Sequence, residues 1–149
     1  MKIKINCLME TEKLGKVISQ KLNDKSIICL TGDLGAGKTT LTQSIMKELG
    51  IEEYITSPTY TIVNEYHHPK KIFHFDVYRI NDADEMFEIG FDDYLNQDAI
   101  IIIEWADIIE EIIPKDAIWI KILYTDDINE RLIEITGMDL EEYYENFRD

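Results

Sequence analysis

Apolar and polar residues alternate at the start of the chain, through Lys2, Ile3, Lys4, Ile5 and Asn6, which predicts a short strand over residues 2–8 with one wet face. Apolar positions then recur at helical spacing, Leu14, Val17, Ile18 and Leu22. Thr11 stands where an N-cap would and Glu12 lies in the first turn, so the helix is expected to run to about Asn23. Ser26 to Thr31 is a short apolar-rich run before a glycine, suited to a strand buried on both faces of a parallel sheet. From Lys38 the stripe Leu41, Ile45 and Leu49 predicts a second helix, stopped by Gly50. Tyr60–Tyr66 and Lys71–Arg79, rich in β-branched and aromatic residues and joined through His67 to Lys70, read as an antiparallel hairpin. Asn81–Ile89 looks helical, with Asp82, Asp84 and Glu85 near its positive end and Gly90 closing it. Ala99–Ile103 predicts a second buried strand that ends at Glu104, and a short helix from about Asp107 to Ile113 stops at Pro114. Ala117–Tyr124 and Leu132–Thr136 alternate as strands, and Met138–Phe147 reads as a terminal helix. The expected architecture is one α/β domain over residues 1–149, a mostly parallel sheet with an antiparallel hairpin and helices on both faces, carrying an acidic tail over about 137–149.

Composition narrows the setting. With 149 residues, 45% apolar, the chain can bury roughly 70% of its unfolded surface without disulfides or metals. Its longest unbroken apolar run, Ala99–Ile103, is far short of the ~20 residues of a membrane span. The N-terminus has no apolar stretch of signal-peptide length, and Cys7 and Cys29 form no metal or redox spacing, so a cytoplasmic protein is expected. The net charge of -15 argues against a surface that grips a phosphate backbone. That charge is concentrated: residues 80–149 carry 21 acidic and 4 basic side chains, residues 1–79 carry 9 and 11. The acidic half is open to two interpretations, a solubilising surface or a docking face for a basic partner.

Gly32-Asp33-Leu34-Gly35-Ala36-Gly37-Lys38-Thr39 fits the pattern G-x-x-x-x-G-K-[ST] of the P-loop. Glycines allow the backbone to wrap closely around phosphate oxygens, while successive N–H groups and a helix N-terminus supply positive potential. In this pattern Lys38 reaches the terminal phosphates and the Thr39 hydroxyl binds Mg²⁺. The loop follows an apolar strand and opens a helix, the context the motif requires, so a P-loop NTPase fold is expected.

Such a loop needs a carboxylate on a neighbouring strand for the metal. Glu104, after Ala-Ile-Ile-Ile-Ile, would stand at the carboxyl end of a central strand, where open α/β sheets bind ligands. Asp76 has the opposite parity to Phe75 and Val77; it either projects towards the nucleotide and orients the attacking water, or pairs structurally with Arg79 or His74. Thr59, in Ser57-Pro58-Thr59, is either a nucleotide-responsive hydroxyl or a turn residue. Trp105 is a core aromatic or a lid over the site. His67 and His68 read as turn residues rather than ligands.

Taken in order, the P-loop, Ser57-Pro-Thr-Tyr-Thr61, His74-Phe-Asp-Val-Tyr-Arg79, Glu88-Ile-Gly-Phe-Asp-Asp-Tyr-Leu95 and Ile103-Glu-Trp105 resemble the bacterial TsaE (YjeE) ATPases, from Thr11 to about Thr136. The resemblance implies a part in making N6-threonylcarbamoyladenosine on tRNA. The implied role is to bind a TsaB–TsaD heterodimer and hydrolyse ATP for its repeated turnover, not to perform the transfer. Carried over, Asp33, Leu34, Gly35, Ala36, Gly37, Lys38, Thr39 and Thr40 would bind phosphates, and Thr39 and Glu104 would hold Mg²⁺. Asp76 and Trp105 match residues important for activity, Thr59 belongs to a switch-like loop, and Thr11 and Arg131 match positions near the adenine. Direct tight tRNA binding by the isolated chain is not expected at this charge. A guanine-reading Asn-Lys-x-Asp motif is absent, which favours ATP. A P-loop small-molecule kinase is the alternative enzyme, but such kinases clamp phosphates with several arginines, and this chain has only Arg79, Arg131 and Arg148.

Overall fold

The computed structural model describes residues 1–33, 35–53, 55–56, 58 and 62–140. A seven-stranded sheet runs through it, built from β1 (Lys2–Ile5), β2 (Ile27–Gly32), β3 (Val63–Tyr66), β4 (Ile72–Asp76), β5 (Ile100–Glu104), β6 (Ile118–Tyr124) and β7 (Arg131–Thr136). Their spatial order is β1-β7-β6-β2-β5-β4-β3. The four middle strands are parallel; β3 pairs antiparallel with β4 as the hairpin pattern predicts, and β7 pairs antiparallel with both β6 and β1. The sheet is therefore mixed rather than mostly parallel. The departure lies at the β1 edge, where the first strand pairs with a partner from the far end of the chain, a pairing that local pattern does not encode.

Alternation decides which strands carry two covered faces. On one face Ile28, Leu30, Ile100, Ile102 and Ile120 meet Leu14 and Ile18 of α1 (Leu8–Lys21) and Leu41 and Ile45 of α2 (Lys38–Glu48). On the other, Cys29, Phe73, Phe75, Ile101 and Ile103 meet Met86 of α3 (Glu85–Glu88), Phe91 of α4 (Phe91–Leu95) and Ile109 of a 3-10 helix (Ala106–Ile112). Strand β5 is buried at every position, as its unbroken apolar run requires, whereas β1 alternates exposed and buried. Gly15 lets α1 and α2 approach closely: a Cβ there would lie 2.5 Å from the Ser44 Cβ. Among the described residues no helix is long and apolar enough to cross a membrane.

Several boundaries differ from the pattern for local reasons. Helix α1 begins at Leu8, with Cys7 rather than Thr11 as N-cap. The Glu10 carboxylate reaches back to accept the Asn6 N–H at 2.8 Å and so secures an earlier start. Thr11 lies inside the first turn, its hydroxyl donating to the Cys7 carbonyl at 3.4 Å. The helix expected over Asn81–Ile89 contracts to the single turn of α3. Asp82 Oδ1 accepts the Asp84 N–H, and the following backbone bonds close over three residues, so the segment opens as turns. Gly90 closes that turn at φ 82° and starts α4, which the pattern did not predict. The helix before Pro114 is of the 3-10 type and kinked at Ile109. Met138–Leu140 are not helical, and residues 141–149 of the acidic tail lie outside the described residues, as do Tyr60 and Thr61 of the first hairpin arm.

Strand β2 ends in Gly32 at φ 138°, hard against β6: a Cβ would stand 2.3 Å from the Ile122 carbonyl oxygen. Gly32→Ala is therefore expected to destabilise by about 3 kcal/mol, from overpacking together with backbone strain, a large share of a typical 5–15 kcal/mol. A thermal melt checks this, with a drop of roughly 5–10 °C expected.

Candidate functional site

At the carboxyl end of the parallel strands the chain leaves β2 through the glycine-rich loop and enters α2. Gly35 and Gly37 take positive φ, 78° and 115°, which side chains with a Cβ adopt at a cost. Gly37 is the N-cap of α2 and supplies no side-chain cap, so no cap side chain occupies the N–H end of that helix. Among the described residues a Cβ added at Gly37 would meet nothing within 4 Å. Open space therefore lies at the N-terminus of α2, the form of site a phosphate group fits.

Lys38 is only 5% exposed. Its ammonium donates to the carbonyls of Gly32 at 2.7 Å and Asp33 at 2.8 Å, and lies 4.0 Å from the centre of the Trp105 ring. Burial lowers its pKa from the ordinary lysine value, while the charges of Glu104, Asp33, Asp76 and Asp107 oppose that shift. Trp105 takes φ 63° directly after β5, and this left-handed step aims its ring back across Lys38. The Tyr78 ring packs on it at 4.7 Å.

Thr39 donates its hydroxyl to Glu104 Oε1 at 2.9 Å, joining the first turn of α2 to the end of β5. Both groups are hard oxygen donors of the kind Mg²⁺ takes, a metal that keeps waters and borrows phosphate oxygens. Among the described residues no cluster of three or more His, Cys, Asp or Glu side chains could hold a metal by itself. Asp76 is the register partner of Glu104 on β4 and lies on the same face of the sheet. Its Oδ1 accepts the Tyr78 N–H at 3.0 Å. Burial raises its pKa above the usual carboxylate value; that hydrogen bond opposes the shift, the Glu104 charge adds to it, and His74 and Lys38 oppose it.

A cavity of 370 Å³ opens beside the loop, lined by Gly35, Ala36, Gly37 and Thr40 together with Thr11 of α1 and Arg131 of β7. The Arg131 guanidinium stacks 4.5 Å from the Tyr124 ring and donates to the carbonyls of Ile128 and Glu130, both at 2.9 Å. The fold thus brings Lys38, Thr39, Asp76, Glu104 and Trp105 to one strand end, with Asp33, Gly35, Ala36, Gly37 and Thr40 in the loop and Thr11 and Arg131 around its cavity. Leu34 and Thr59 lie outside the described residues. Sequence reasoning missed His74 as a member of the site. Its ring is fully buried, with Nε2 2.6 Å from Glu104 Oε2. The signal was present in strand parity, since Ile72, His74 and Asp76 share one face.

Fold and site define a class: mixed seven-stranded α/β proteins whose Gly-x-x-x-x-Gly-Lys-Thr loop joins a central strand to a helix. A family model described as threonylcarbamoyl adenosine biosynthesis protein TsaE matches residues 5–133, and the chain belongs to that family. It is similar to the tRNA threonylcarbamoyladenosine biosynthesis protein TsaE of Haemophilus influenzae, 41% identical over 130 residues, covering 85% of this chain and 82% of that protein. The protein of the same name from Bacillus subtilis is 37% identical over 130 residues, covering 87% of this chain and 80% of its own. The crystal structure of Bacillus subtilis YdiB superposes with a TM-score of 0.75 at 32% identity, covering 99% of this chain and 90% of that one.

Proposed function

We propose that this member of the TsaE family is a Mg²⁺-dependent ATPase with the P-loop NTPase fold. In this proposal it supports N6-threonylcarbamoyladenosine modification of tRNA in the cytoplasm by binding a TsaB–TsaD heterodimer and hydrolysing ATP to allow its turnover. The observation that carries the ATPase is a buried Lys38 at the foot of a loop with open space above Gly37, beside Thr39 and Glu104 joined at 2.9 Å.

Each residue then has a defined task. Backbone N–H groups from Asp33 to Thr40, Leu34 included, cradle the phosphates at the N-terminus of α2. Lys38 moves from its two carbonyls onto the terminal phosphates. Thr39 and Glu104 hold Mg²⁺, which when bound neutralises charge on the phosphate oxygens. Asp76, fixed by the Tyr78 N–H, accepts from the attacking water and orients it. Thr11 and Arg131 line the cavity that receives the nucleoside. Thr59 is assigned to the nucleotide-responsive loop on the family resemblance. A P-loop protein to which no arginine finger is supplied hydrolyses slowly, so slow hydrolysis by the isolated chain is expected.

Because Lys38 must leave the Trp105 ring to reach phosphate, ATP binding should change Trp105 fluorescence. The only other tryptophan is Trp119, on β6. The ATP-dependent signal should persist in Trp119→Phe and vanish in Trp105→Phe; the reverse assignment would contradict the placing of Trp105 beside the moving Lys38.

A pull-down from the organism's own extract, with and without ATP, tests the partner. Retention of a TsaB–TsaD pair is expected. Retention instead of enzymes acting on one phosphorylatable metabolite would favour the small-molecule kinase. With a net charge of -15, the isolated chain should show negligible tRNA affinity at physiological salt.

A further inference from the structure

We propose that His74 is a positioning residue for the metal end of the site: it fixes the Glu104 carboxylate and thereby sets how tightly Mg²⁺ is held in the presence of nucleotide. The inference rests on the Mg²⁺-ATP assignment above. His74 sits on β4 beside Ile102 of β5 and is fully buried, and Glu104 is 2% exposed. A carboxylate that holds a metal is acceptor-only, and with Glu104 in that role the 2.6 Å contact is assigned as His74 Nε2–H donating to Glu104 Oε2. The other oxygen, Oε1, accepts from Thr39 at 2.9 Å. Donors from two different elements, β4 and α2, therefore hold the two oxygens and fix the rotation of the carboxylate as well as its place.

The ring is costly where it stands. Among the described residues its Nδ1 has no hydrogen-bond partner, although the ring is buried on the sheet face that also carries Ile72, Ile100 and Ile102. An aliphatic side chain would fill the same space without an unpaired polar atom. What an aliphatic residue lacks is the N–H aimed at Glu104. Partners one step behind a metal ligand commonly set metal affinity by 10–100-fold, because they orient the ligand and hold its charge.

The test uses the full chain and three substitutions, His74→Gln, His74→Asn and His74→Leu. Binding of a non-hydrolysable ATP analogue is measured by calorimetry across a Mg²⁺ titration and again in EDTA, with melting temperatures in EDTA to confirm folding. A glutamine amide reaches the Nε2 position and an asparagine amide only the Nδ1 position. His74→Leu and His74→Asn should raise the half-saturating Mg²⁺ concentration about tenfold or more, leave metal-free analogue binding nearly unchanged, and His74→Gln should return to within about threefold of the wild type. An unchanged Mg²⁺ titration in folded His74→Leu would overturn the inference, as would a glutamine variant no better than asparagine. A wild-type protein that binds the analogue equally with and without Mg²⁺ would instead overturn the Mg²⁺-ATP assignment itself and the inference with it. His74→Gln keeps the test decisive if the leucine variant fails to fold.

Discussion

Lys38→Ala should reduce Mg²⁺-ATP hydrolysis at least tenfold and weaken ATP binding, with the fold intact. The ammonium is held at the foot of the loop, and its charge is the only lysine or arginine charge among the residues from Thr31 to Met46. A tenfold loss corresponds to about 1.4 kcal/mol, well within what a charge-assisted hydrogen bond to a phosphate contributes in a water-poor site. Folding should tolerate the change for two reasons. The partners it leaves behind, the carbonyls of Gly32 and Asp33, lie on half-buried and exposed residues that water can reach. Alanine also suits the first position of α2, and a buried ammonium no longer has to be desolvated. Wild-type hydrolysis in a folded Lys38→Ala protein would remove the loop from the mechanism.

Glu104 carries the second large effect, and here the choice of substitution separates chemistry from folding. Glu104→Ala removes the partner of both Thr39 and His74. It leaves a fully buried imidazole N–H without an acceptor, which costs on the order of 1–3 kcal/mol in stability besides the loss of activity. Glu104→Gln keeps the shape and one carbonyl oxygen but removes the charge that meets Mg²⁺. Both variants should hydrolyse ATP at least tenfold more slowly, while the melting temperature of Glu104→Gln stays the closer to wild type. Side-by-side steady-state rates at saturating Mg²⁺ and melts in EDTA check both halves of this expectation. An alanine variant as active as the wild type would remove Glu104 from the metal site.

The phosphate loop was legible because all its determinants are contiguous: glycines, lysine and threonine at fixed spacing, with a buried strand before and a helix after. Glu104 and Asp76 were legible one step less directly, through the end of an apolar run and through strand parity, and they emerge as register partners on β5 and β4. His74 obeys the same parity. What the sequence alone could not supply was the distance across to Glu104, because that contact depends on two strands 30 residues apart meeting in register. Thr11 fits the N-cap preference for serine and threonine but does not take that place. The Glu10 carboxylate, reaching back to Asn6, decided the boundary instead. The helix expected over Asn81–Ile89 lost its first residues to a side-chain bond at Asp82 that competes with the helical ones. The mixed sheet was the largest departure in the fold. Its β1–β7 pairing joins the two ends of the described chain, and nothing in a local alternation specifies the strand that will lie alongside.

The chain's charge bears on the partner as well. Its acidic half contains Glu104 and also Asp82, Asp84, Glu85 and Glu88, whereas the near-neutral half supplies the phosphate loop. A protein of a tRNA-modification family with this distribution is expected to leave the RNA to its partners and contribute ATP turnover.

The most direct measurement of that central claim is the number of threonylcarbamoyladenosine groups formed on tRNA per TsaB–TsaD complex in a reconstituted reaction. Wild-type chain with Mg²⁺-ATP should support many turnovers per complex, and Lys38→Ala should hold the yield near a single turnover. Equal multiple turnover with the wild type, with Lys38→Ala and with no added chain would contradict the account.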